Sequence, residues 1–160
     1  GLHYDMRWML IDSDNRFLSQ REIARMALFK VSIAGNGLSV TDSPTNSSLQ
    51  IPFQPLNSRL FEVAVWEDTC LAQRVSDEAD TWFSNKLDIP CKLVYMPDDT
   101  LRQVDPLYAS EGIIASFADA FPLMMISQAS LDDLSARVGY PLPMNRFRPN
   151  MVYTGGKPYS

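Results

Sequence analysis

Closely spaced turn signals constrain this chain more than any other feature. Through its first seventy-five residues they break one strand-forming run after another. Residues 6–12 (MRWMLID) are apolar with aromatic content, and Ser13-Asp14-Asn15 closes them. Arg16-Phe17-Leu18 returns from that turn, which predicts a hairpin. Residues 24–34 (ARMALFKVSIA) begin with helix-compatible residues. Val31 and Ile33 then alternate with Lys30 and Ser32, so the second half at least is expected as a strand. Gly35-Asn36-Gly37 turns the chain, and Leu38-Ser39-Val40 continues the meander. Residues 42–48 (DSPTNSS) are loop by composition. Short strands are expected at Leu49-Gln50-Ile51, from Phe61 to Trp66, and from Thr69 to Val75. Several short strands at turn-punctuated spacing predict a small barrel or sandwich.

Two segments have helical character. In SDEADTWFSNKLDIP, Ser76 is the expected N-cap. Asp77, Glu78 and Asp80 lie near the positive end of the helix dipole, and Ala79, Trp82, Phe83 and Leu87 form the buried stripe. Cys91, Leu93 and Tyr95 then share one face of a strand. Residues 97–112 are polar and irregular and read as a long connection. Leu123 to Ile126 is a continuous apolar run that suits a buried strand. Ser130 is the expected N-cap of a second helix, with Asp133 at N3, Leu131, Leu134 and Val138 on the buried side, and Gly139 as the stop. The expected class is mainly β with a few helices, α+β in type.

Composition excludes several functions. With 46% hydrophobic and 21% charged residues the chain is globular. Its net charge of −5 and the absence of a Lys/Arg run argue against nucleic acid. No apolar run approaches membrane-spanning length, so no membrane partner is expected. Cys70 and Cys91 are too few and too far apart for a zinc site or a disulfide framework, which points to free thiols and a cytoplasmic setting. His3 is the only histidine, so a nucleophile system built on it is disfavoured. Trp8, Trp66 and Trp82 read as core residues, and Gly155-Gly156 as a plain turn without Walker spacing.

One short stretch has the character of a binding site. Asn145 to Asn150 (NRFRPN) sets Arg146 and Arg148 around Phe147, with Pro149 and Asn150 next. In an extended segment both guanidinium groups share a face, and Pro149 biases Arg148 away from the helical region. Two planar forks beside an amide suit a phosphate or carboxylate. The plain alternative is that one arginine pairs with a neighbouring carboxylate and the other is solvated.

NRFRPNMVYTGG, the preceding FPLMMISQASLDDLSARVGYPLPM and the opening GLHYDMRWMLID together resemble the MOSC family. These domains occur in molybdenum cofactor sulfurases and mitochondrial amidoxime-reducing components. The resemblance covers nearly the whole chain. It implies a small β-barrel domain at 1–97, a connection at 98–112 and the start of a MOSC-like β-barrel segment at 113–160. It also implies a molybdenum cofactor, held as a pterin with a phosphate tail. Carried over by position, Arg148 and Asn150 match the RPN residues as cofactor-binding candidates, joined by Ser127 at the strand end and by Arg21 in LSQR.

Three departures temper the carry-over. Relatives often have Asp-Arg-x-Trp where this chain has Asp5-Met6-Arg7-Trp8, and Met6 carries no charge. A lysine-serine pair expected upstream of Gly1 and a metal-ligating cysteine expected beyond Ser160 lie outside the sequence. The chain therefore reads as part of a longer protein and is expected to hold little or no molybdenum alone. The implied activity of the parent is reduction of small N-hydroxylated substrates with electrons from a partner protein. The alternative is a non-catalytic substrate- or partner-binding module, or a sulfur carrier.

Overall fold

The computed structural model describes residues 2–55, 59–119 and 121–160. The expected class is observed: strands in sheets with two α-helices. The first unit holds seven strands, β1 (Trp8–Ile11), β2 (Phe29–Ala34), β3 (Gly37–Asp42), β4 (Ser47–Pro52), β5 (Leu60–Val65), β6 (Asp68–Arg74) and β7 (Lys92–Tyr95). Helix α1 (Asp77–Leu87) links β6 to β7. A four-stranded antiparallel sheet runs in the order β1-β7-β6-β5, and a three-stranded antiparallel sheet in the order β2-β3-β4.

The predicted hairpin return is present, with Leu18 N–H donating to the Leu10 carbonyl at 2.8 Å. Residues 16 and 17 lie between the outer strands of the larger sheet, making single bridges to Ala64 and Ile11. No continuous ladder closes this ring among the described residues, so the sheet is curled without being a closed barrel. The Gly35-Asn36 turn places Gly37 against β4, where an added Cβ would meet the Ile51 carbonyl oxygen at 2.2 Å. Only glycine fits there. The loop predicted over 42–48 is shorter than expected: β3 runs through Asp42 and β4 begins at Ser47, so a four-residue turn suffices.

Strand alternation builds two cores back to back. On β1 and β7, Leu10, Leu93 and Tyr95 join Val40, Leu49 and Phe83 between the two sheets and α1. The intervening Met9, Ile11, Val94 and Met96 join Val63, Val65 and Phe117 on the other face. Helix α1 forms as the sequence indicates, with the Ser76 hydroxyl accepting from Ala79 N–H and Asp88 ending it in the left-handed conformation. Asp80 does more than complement the dipole. It is buried, its Oδ1 accepts the Leu93 N–H at 2.8 Å, and its Oδ2 pairs with Arg74. Helix and strand are thereby bolted together.

The stretch read as a connection packs on this unit. Arg102, 7% exposed, reaches Asp68 at 2.8 Å and donates to the Ser116 and Ala118 carbonyls. Beyond it, strands β8 (Met125–Ser127) and β9 (Met151–Tyr153) form a parallel pair joined through helix α2 (Gln128–Val138). Two expectations fail here. The run at 123–126 is not a buried strand, since Leu123, Met124 and Met125 are exposed: a two-stranded pair with α2 beside β8 shields little of it. The cap of α2 is Ser127, whose hydroxyl accepts from Ser130 N–H at 2.9 Å, so the cap lies three residues before Ser130 and the helix starts at Gln128. Asp133 is consequently mid-helix and pairs with Arg137 at 2.6 Å. Of the predicted stripe only Leu131 is buried, and Val138 is exposed. Trp8 and Trp82 pack against the core as expected, but Trp66 is 47% exposed, in a left-handed turn between β5 and β6.

Candidate functional site

The NRFRPN stretch is a compact turn rather than an extended strand. Met144–Arg146 is a short 3-10 turn, Phe147 is right-handed helical, and Arg148 has φ +52°. Pro149 does disfavour the right-handed helical region for Arg148, but the backbone takes the left-handed basin instead of the extended one. A side-chain residue there stores strain, of order 1–3 kcal/mol. Met6 at φ +54° and Tyr4 at φ +65° share that conformation, so both chain segments that meet at this point are strained.

Their meeting is specific. Asn150 Nδ2 donates to Asp5 Oδ2 at 2.7 Å, while its Oδ1 accepts the Met124 N–H at 2.8 Å. Its own backbone N–H donates to the Met124 carbonyl at 2.9 Å. Asn150 therefore clamps the arginine turn to the head of β8 and to the N-terminal segment. Arg148 Nη2 approaches Met6 Sδ at 3.9 Å, a weak contact that leaves its donors available. Among the described residues no carboxylate pairs with Arg146 or Arg148. The plain alternative of an arginine neutralised by a neighbour is not what the turn presents.

The other candidates sit differently. Ser127 is 2% exposed, and its hydroxyl is committed to the α2 cap and to Ser130 Oγ at 2.8 Å. Arg21 lies over the Trp66 ring, 5.3 Å from its centroid, and 3.9 Å from Asp119. Trp66 Nε1 donates to the same Asp119 at 3.2 Å. That cluster has no described contact with Arg148. Arg7 does not substitute for the uncharged Met6, for it turns to Asp98 at 2.5 Å and to the Tyr95 hydroxyl at 3.5 Å. Sequence reasoning missed Asp5 and Asp119. Asp5 stands beside Met6 in the very stretch that carried the resemblance, but nothing local announces a partner 145 residues away.

Cys70 and Cys91 are both buried in the cores, and burial pushes both thiols above their ordinary range. Neither is placed to offer a thiolate to a metal at the surface. No group of His, Cys, Asp or Glu with metal-binding geometry occurs among the described residues. The arginine turn can do one thing chemically: present unpaired guanidinium donors to an anion.

Comparison with known proteins decides the ancestry. Residues 1–90 match the MOSC N-terminal beta barrel domain, and residues 114–159 match the MOSC domain. The chain belongs to the MOSC family. Among curated MOSC proteins, the mitochondrial amidoxime-reducing component 1 of Xenopus laevis is 25% identical over 159 residues, covering 94% of this chain and 46% of that protein. The molybdenum cofactor sulfurase of Oryza sativa subsp. japonica is 28% identical over 179 residues, covering 100% of this chain and 22% of that protein. Human mitochondrial amidoxime reducing component 2 is 28% identical over 157 residues. The chain thus spans less than half the length of these relatives. A solution structure from Bordetella bronchiseptica aligns with a TM-score of 0.52 at 23% identity, over 60% of this chain and 75% of that one, which speaks to the fold alone. No described helix is long and apolar enough to cross a membrane.

Proposed function

We propose that this MOSC chain is the anion-gripping portion of a molybdenum-cofactor oxidoreductase, one that reduces small N-hydroxylated compounds with electrons from a partner protein. The observation that carries the reading is the pair Arg146 and Arg148, exposed and without a carboxylate partner among the described residues, on a turn whose backbone is strained and clamped. Two unpaired guanidinium groups fit the phosphate end of a pterin cofactor. The buried cysteines do not fit its metal end, so the residues of this chain match the group in part.

When bound, the cofactor supplies the redox-active metal. The work of this chain is to bind and orient. Arg148 meets the anion, Arg146 adds charge beside it, and Asn150 holds the turn in place through Asp5 and Met124. Ser127 acts at one remove by fixing the start of α2, and Arg21 with Asp119 forms a separate polar cluster. The names of the relatives, amidoxime-reducing component and molybdenum cofactor sulfurase, agree with a cofactor-handling role.

The test is metal and pterin analysis of the full-length gene product, expressed with cofactor supply, beside Arg148→Ala. The wild type is expected to carry near-stoichiometric molybdenum and pterin. The variant should retain about tenfold less pterin, the effect of losing one charge-assisted contact of the stronger kind. A well-folded wild type free of both would sink the oxidoreductase reading and leave a partner-binding or sulfur-carrying module.

A further inference from the structure

A cleft of about 560 Å³ lies where the N-terminal segment, the β2–β3 turn, the end of β4 and the end of β7 converge. It shares no residue with the Arg148 site, and its volume is within the roughly 300–1,000 Å³ typical of small-molecule pockets. Its wall is aromatic. Tyr4 and Phe53 stack at 4.0 Å with their planes 3° apart, and the His3 ring lies 4.0 Å from Tyr4. Trp8 stands behind them, 5.2 Å from Tyr95 and 6.4 Å from Phe53. Its Nε1–H is buried with no described partner, an unspent donor within the same aromatic cluster.

The cleft has one positive anchor. Among the described lining residues Arg7 is the one arginine or lysine, with its guanidinium carbon 5.3 Å from the centre of the Tyr95 ring. The Arg7 side chain is 16% exposed, whereas its ion-pair partner Asp98 is 90% exposed. A largely buried guanidinium paired with a solvated carboxylate is a pairing of small net worth, open to exchange. Any ligand anion that brings its own apolar body to the aromatic wall has the advantage over Asp98. One guanidinium matches one negative charge, so a monoanionic carboxylate fits better than a phosphate dianion.

We infer that this cleft binds a planar aromatic carboxylate, its ring against the Tyr4–Phe53 wall and its carboxylate on Arg7 in place of Asp98. Amide groups of Asn36 and Gln54 at the rim offer hydrogen bonds to ring substituents.

Calorimetric titration of the whole chain with 2-naphthoate tests this, beside neutral 2-naphthamide and the non-aromatic cyclohexanecarboxylate. Saturable one-to-one binding of 2-naphthoate is expected, with each analogue weaker by about tenfold, one lost charge-assisted or stacking contact each. Arg7→Gln should weaken 2-naphthoate by a similar factor and leave 2-naphthamide unchanged. Because Asp98 is exposed, Asp98→Asn should fold normally and tighten 2-naphthoate by removing its competitor. Arg148→Ala should leave the affinity as it is, which separates this site from the cofactor reading. No saturable binding, equal affinity for acid and amide, or indifference to both Arg7→Gln and Asp98→Asn would overturn the inference.

Discussion

Helices α1 and α2 are each eleven residues long, each begins under a serine hydroxyl, and each ends on a left-handed residue, Asp88 in one and Gly139 in the other. Their surroundings differ sharply. Helix α1 buries Ala79, Asp80, Phe83 and Leu87, and Phe83 meets Phe29 and Trp82 edge-on. Helix α2 buries Leu131 alone and packs beside a two-stranded sheet whose Met125, Met151, Val152 and Tyr153 are exposed. The contrast separates two influences on a helix. Serine caps and left-handed stops decide where it starts and ends in both places, although the acidic first turn of α1 has no counterpart in α2. Burial decides how much of the fold depends on it.

The largest effect should come from testing that burial directly. Phe83→Ala is expected to cost about 3–5 kcal/mol, since it empties the centre of the core between the sheets. Leu131→Ala should cost roughly 2 kcal/mol, the low end for a buried leucine, because the loosely covered wall around it can collapse. Urea titration of both variants measures the difference. If Leu131→Ala proves as damaging as Phe83→Ala, the two halves are equally consolidated and the comparison fails.

Acid sharpens the same contrast. Asp42 has a fully buried side chain, and the Thr45 hydroxyl, reinforced by Lys86 at 3.2 Å and Arg25 at 3.8 Å, holds its carboxyl below the ordinary value of 3.8 despite the opposing effect of burial. A carboxyl depressed in the folded state adds stability above its unfolded pKa and loses it as pH falls through the lower folded value. The first unit should therefore hold a flat melting temperature from neutral pH to about 5 and lose it steeply below about 4. Asp42→Asn should be less stable at neutral pH and shallower in acid. Asp133, lowered by Tyr159 and then Arg137, sits on α2 and adds its own acid sensitivity there. Since α2 carries little of the core, protonating Asp133 should loosen α2 without moving the main transition. An unchanged acid slope in Asp42→Asn would show that other carboxylates dominate.

The first unit was legible because its signals are local. Alternation on β1 and β7 is what sorts Leu10 and Leu93 from Met9 and Val94, and Gly35-Asn36 sets the turn that the hairpin needs. The candidate site was legible as a motif and not as a geometry. The motif points to Arg148 and Asn150, yet the extended backbone expected there gives way to a left-handed turn, because proline disfavours one basin without choosing between the others. Asn150 as a clamp on Asp5, and Arg7 as a partner of Asp98, depend on chain segments far apart in sequence. The α2 cap shows a finer limit. Ser127 and Ser130 are both good N-cap residues three apart, and propensity cannot choose between them. Trp66 departs from the pattern since a turn, not the strand, claims it, and Arg21 then covers its ring.

The smallest expected effect discriminates most finely, for it removes the same group from both helices. Ser76→Ala and Ser127→Ala each delete a cap worth about 1 kcal/mol. In α1 the fraying turn includes Ala79 and Asp80, the latter bonded to Leu93 N–H, so the loss should appear as a lower global unfolding midpoint. In α2 the lost Ser127 hydroxyl also releases Ser130 Oγ, which accepts the Tyr159 N–H at 2.9 Å. There the loss should stay local, as about a fivefold drop in amide-exchange protection across 128–138 with the global midpoint unmoved. Exchange measured residue by residue, beside a denaturant curve, reads both outcomes. Should Ser127→Ala lower the global midpoint as far as Ser76→Ala does, α2 opens only when everything opens, and its sparse burial has misled us about its place in the folding unit.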